Sequence, residues 1–126
     1  MPITVEWKNK SERVLLMRYA GHWSWDDFYN ADASMRKMID DVKDRSHLII
    51  DVTKNVWFPP DIAQHTDRIV SALDPRLGII ILVGRQIEQE MLSLLAAEND
   101  IITTRYGFAY DVESAQQAID RRRRAN

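Results

Sequence analysis

The chain has no cysteine among its 126 residues, which excludes a disulfide framework and thiol chemistry. It also has no long apolar run. The longest, Ile79 to Val83, falls far short of the roughly 20 residues needed to span a bilayer. Nor is there a basic excess. The net charge is −2, and with Arg121 to Arg124 set aside 13 basic residues face 19 acidic ones. The body therefore lacks the basic footprint of a nucleic-acid-binding domain, and no nucleic-acid partner is expected. The opening Met-Pro-Ile-Thr-Val-Glu-Trp has neither a charged n-region nor an apolar h-region. A signal peptide is not expected, and the cytoplasm is the expected location. No repeat, linker or low-complexity segment stands out beyond the basic tail at 121–126, and the length is that of one domain over 1–126.

The signatures of most enzyme classes are missing as well. His22, His47 and His65 fall on separate elements without metal-ligand spacing, so no metal is expected. Gly84-Arg85-Gln86 joins a strand to a helix, but a single glycine is far from a phosphate-cradling loop, and no cofactor is expected. His22 and Asp51 are the only acid–base pair near a plausible site, and no nucleophile with a supporting hydrogen-bond chain accompanies them. The run Arg105-Tyr106-Gly107-Phe108-Ala109-Tyr110 is similar to the aromatic strand of an RNA-recognition motif. It comes last in the chain, has no matching aromatic strand at the start, and sits in an acidic body. No catalytic residue is assigned, and the chain reads as a non-enzyme.

What is present is a regular alternation of strands and helices. Ile3, Val5 and Trp7 alternate with polar residues, as a half-buried strand does. Asn9-Lys10-Ser11 is a turn, and Arg13 to Ala20 a second strand ended by Gly21, so the two form an antiparallel hairpin. Ser24 caps a helix, with Asp26 and Asp27 in its first turn and Trp25, Phe28, Met35, Met38, Ile39 and Val42 on one face. Leu48 to Val52 and Gly78 to Val83 read as strands buried on both faces. A loop over 53–59 leads to a helix opened by Pro60 and closed by Asp74-Pro75. A third helix is expected over 86–98, a last strand over 105–110, and a last helix after Asp111. The expected fold is α/β: a mixed, mostly parallel five-stranded sheet with an N-terminal antiparallel hairpin and four helices.

This element order resembles the STAS (SpoIIAA-like) domain, found in anti-sigma-factor antagonists and sulfate-transporter tails. The resemblance rests on nearly the whole chain, and in particular on the unit from Leu48-Ile49-Ile50-Asp51-Val52 to Ile62 and on the strand Gly78 to Val83. The Gly-x-Trp-x-Trp corner at Gly21 to Trp25 is similar to that of a poorly characterised bacterial subgroup. The resemblance implies a regulatory, protein-interaction module. The phosphorylated serine or threonine of the antagonists has no counterpart, since Pro60 stands at the equivalent place in Phe58-Pro59-Pro60-Asp61-Ile62. The family's phospho-switch is therefore not expected.

The candidate binding residues are Trp23, Trp25, Asp51, Trp57, Phe58 and Pro60. In a parallel sheet the loops after consecutive strands emerge at one edge, so Trp23 and Trp25 meet Trp57 and Phe58 there. Such an aromatic rim serves a protein partner, or lines a pocket for a small apolar or amphipathic ligand, or closes the core. Asp51 at the end of a buried strand either serves a site or caps the N–H groups of its own loop. The apolar excess of helix 86–98, with Met91, Leu92, Leu94 and Leu95, is a candidate homodimer face.

Overall fold

Alternating inward residues on adjacent strands build one continuous sheet. The computed structural model describes residues 2–60, 65, 74–86, 89–90 and 106–125. Strand β1 (Ile3–Asn9) pairs antiparallel with β2 (Val14–His22); β3 (Ser46–Trp57), β4 (Leu77–Val83) and β5 (Tyr106–Ala109) follow, each parallel to its predecessor. Spatial order equals chain order, β1-β2-β3-β4-β5. Helix α1 (Trp25–Val42) links β2 to β3, and α2 (Val112–Ala125) follows β5. Arg121 to Arg124 belong to α2 rather than to a separate tail.

The α/β class, the mixed sheet and the antiparallel entry agree with expectation, whereas the helix count does not. Two helices are present among the described residues, not four. The expected helices over 60–73 and 86–98, and with them the candidate dimer face, fall mainly outside the described residues. Within those stretches His65, Gln86, Gln89 and Glu90 have helical backbone. The expected loop over 53–59 is also corrected. β3 continues to Trp57, because β2 extends to His22 and keeps pairing with it.

Each face of the sheet has its own core. Ile3, Leu15, Met17, Tyr19, Leu48, Val52 and Ile80 meet Phe28, Ala31, Met35 and Ile39 of α1. On the opposite face Val14, Leu16, Ile49, Ile79, Ile81 and Val83 meet Ala115 and Ile119 of α2. α1 begins at Ser24, whose hydroxyl accepts the Asp27 N–H while the Asp27 carboxylate accepts the Ser24 N–H. This reciprocal cap satisfies two donors that helix geometry leaves free. The helix ends at Lys43 in the left-handed region, its N–H on the Ile39 carbonyl.

Two polar clamps hold the start of β4. The first is Asp74, which accepts from the Arg76 backbone N–H at 2.9 Å and from its guanidinium at 3.0 and 2.6 Å. Arg76 also reaches Asp40 of α1 at 2.6 Å. These bonds hold the Asp74 carboxyl down to about 2. The second is buried His47, whose Nδ1 accepts the Ile79 N–H at 2.9 Å. A backbone N–H only donates, so the ring is neutral with its proton on Nε2. Burial, then Arg123 and Arg45, lower its pKa. A Cβ added at Gly78 would lie 2.8 Å from the His47 ring, so only glycine fits beside it.

Gly78→Ala is expected to destabilise the fold by about 1–3 kcal/mol in urea denaturation, because the ring it meets is both buried and hydrogen-bonded. The folded pKa of Asp74 lies below its ordinary value. Its contribution is therefore complete above about pH 4 and lost as pH falls through about 2. Denaturation between about pH 5 and pH 2 should show a loss on the order of 1 kcal/mol that Asp74→Asn removes.

Candidate functional site

Gly21, still paired within β2, sits at φ +62°; the chain turns into α1 after His22, and the two corner tryptophans flank the cap residue Ser24. Trp23 points into the core with 5% exposure, edge-on to Tyr19 at 5.0 Å and to Trp25 at 5.1 Å. Its indole N–H donates to Asn55 Oδ1, itself 5% exposed. Trp25 is half-buried, donates to the Pro60 carbonyl at 3.0 Å, and stacks face to face on His65 at 3.9 Å. The Tyr29 hydroxyl meets His65 Nδ1 at 3.0 Å. Phe58 lies edge-on to Trp23 at 6.2 Å.

Two bulges on β3 create this arrangement. Arg18 pairs with Asp51 but Ala20 with Lys54; Gly21 pairs with Asn55 but His22 with Trp57. Each step inserts one extra residue on β3. Since side chains alternate between faces, one insertion inverts the facing of the residues after it. Asn55 thereby joins the α1 face, where it can accept from Trp23, and Lys54 joins the opposite face. Beyond the second bulge Trp57 stands outward, 45% exposed and stacked on His22 at 5.5 Å, beside Val56 at 70% exposure.

The six candidate residues thus divide into three groups. Trp23, Trp25, Phe58 and Pro60 come together as a hydrogen-bonded aromatic base continuous with the core. Trp57 is held apart from them on an exposed patch with His22 and Val56. Asp51 joins neither group. It accepts from the Thr53 N–H at 2.9 Å and the Thr53 hydroxyl at 2.6 Å, and faces Arg18 at 3.7 Å. His22 and Asp51 are engaged separately, and no acid–base pair links them. No group of three metal-ligating side chains occurs among the described residues. No described helix is long and apolar enough to cross a membrane.

Sequence reasoning weighed Asn55 only as a possible ligand beside Asp51, passed over Val56, and weighed His22 only as an acid or base. Val56 and Asn55 read as loop residues, and neither bulge has a signature in residue type. Asn55 next to an apolar strand was the one available sign, because a buried indole N–H requires an acceptor. No protein-family model, curated protein or solved structure matches this chain.

The division predicts opposite outcomes for two tryptophans. Trp57→Ala should stay within about 0.5 kcal/mol of wild type in chemical denaturation, as an exposed substitution does. Trp23→Phe keeps the ring but strands the Asn55 amide in the core, and should cost about 1–3 kcal/mol.

Proposed function

We propose that this chain is a non-enzymatic, STAS-like regulatory module that acts in the cytoplasm by docking a protein partner on His22, Val56 and Trp57. The observation that carries this reading is the contrast between Trp57 and its neighbours. Trp23, Trp25 and Phe58 are packed into the core cluster or against it, whereas Trp57 and Val56 remain exposed at the end of the paired β2 and β3 strands. An aromatic side chain held by a stacking partner at the end of two paired strands loses little rotamer freedom on binding, which favours it as an anchor. The antiparallel entry hairpin followed by parallel strands in chain order supports the STAS-like reading. A net charge of −2 fits a protein partner better than a nucleic acid.

The test places a photo-crosslinking amino acid at Val56 in cells, with the exposed Lys37 of α1 as the control position. A discrete protein adduct from position 56 that is absent at position 37 is expected. It should disappear when Trp57→Ala is added and be reproduced with the purified partner. Identical adduct patterns at both positions, or adducts that persist without Trp57, would overturn the assignment.

A further inference from the structure

The two helices cover the sheet unequally. On the α2 face, Val14, Leu16 and Ile49 are buried, but the far part of β1 to β3 carries exposed Thr4, Arg18, Ala20 and Lys54. Register sets these residues in two cross-strand rows. One is Thr4–Arg18–Asp51; the next is Pro2–Ala20–Lys54, with the Ala20 N–H on the Pro2 carbonyl. Together they line a depression of about 350 Å³. Ala20 is the reason for the hollow, since its methyl group stands in the middle of the second row between longer neighbours.

The charges in the hollow are only loosely paired. Asp51 Oδ1 is occupied by both Thr53 donors. Arg18 reaches Glu6 at 3.5 Å and Asp51 at 3.7 Å, both longer than the 2.7–2.9 Å of a well-made charge-assisted bond. Lys54 makes no ion pair or side-chain hydrogen bond among the described residues. Its position depends on the first β3 bulge; without the inserted residue Lys54 would face the α1 core. Bulges of this kind commonly re-aim a side chain at a site. The volume lies within the range of small-molecule pockets.

We infer that this depression binds a small organic anion through its carboxylate or phosphate group, with Lys54 and Arg18 as the cationic contacts and the Thr4 hydroxyl as a donor. Asp51 is a positioning residue that holds Arg18 at the rim. The site lies away from the aromatic base and does not depend on the partner-docking reading.

The test is an amide chemical-shift titration of isotope-labelled protein with succinate and, separately, inorganic phosphate. Ionic strength is held constant, with chloride as the reference. Saturable shifts confined to Thr4, Arg18, Ala20 and Lys54 are expected, and the anion that saturates identifies the head group. Lys54→Gln should weaken binding about tenfold. Ala20→Met, on an exposed position, fills the floor while keeping both cations, and should abolish saturation with the folded spectrum intact. The proposal is overturned if neither anion gives saturable shifts or if both variants bind as wild type does. Shifts spread equally over Arg121 and Arg124 would also overturn it, since they would mark adventitious charge screening.

Discussion

The hydrogen bond from the Trp23 indole to Asn55 joins the strand-to-helix corner to the far end of β3. Both partners are buried, so neither has water as an alternative, and an unpaired group there would carry its full desolvation penalty. The bond forms only if Asn55 faces α1, and Asn55 faces α1 only because β3 has already inserted one residue. Register, bulge and bond therefore hold together as one unit. Shifting β3 by a single residue would expose Asn55, orphan Trp23 and turn Lys54 into the core. Everything at the upper end of the sheet inherits its direction from this constraint, including the outward stance of Trp57 and the polar hollow around Ala20.

The lower end of the sheet obeys a different logic. There both faces are covered, and several polar groups complete backbone pairing. His47 takes the Ile79 N–H at the place where the β3–β4 register shifts. The basic run at the end of α2 works in the same way. Arg122 donates to the Tyr106 carbonyl at 3.1 Å and lies over Gly107, where a Cβ would stand 2.7 Å from its guanidinium. Arg123 donates to the Glu12 carbonyl at 2.8 Å. Two of the four arginines thus tie the last helix to β5 and to the entry hairpin, while the run as a whole complements the negative end of the helix dipole.

Much of the fold was legible because burial and period coincide. Ile3, Val5 and Trp7 alternate and lie on one face; Phe28, Met35 and Ile39 follow the helical period and lie against it. Ser24 announces the cap, whereas Gly21, expected to end the second strand, lies within it, since β2 stays paired to His22. The continuation of β3 was not legible, because Thr53-Lys54-Asn55 has the composition of a loop and only its pairing with β2 makes it a strand. The bulges were not legible for a related reason: they are properties of two strands together, and no single residue encodes them. Residue order alone therefore points to one cluster of tryptophans at the rim, whereas the inserted residues separate Trp57 from Trp23 and Trp25.

The separation has a functional consequence that comes from alternation alone. His22 lies two residues beyond Ala20 on β2, so the His22–Trp57 pair continues the column that begins with Thr4–Arg18–Asp51 and Pro2–Ala20–Lys54. The exposed aromatic patch and the cationic hollow therefore belong to one side of the sheet, the side that α2 leaves open at this end. A partner seated on Trp57 would approach the mouth of the hollow. An anion held by Lys54 and Arg18 would then change the charge met at that edge, from cationic toward neutral. Because free energies of binding are reciprocal between coupled sites, a partner carrying acidic residues at this edge would compete with the anion. One presenting basic residues there would bind better in its presence. The same bulges that shape the upper core thus set the spacing between the two surfaces through which coupling would act.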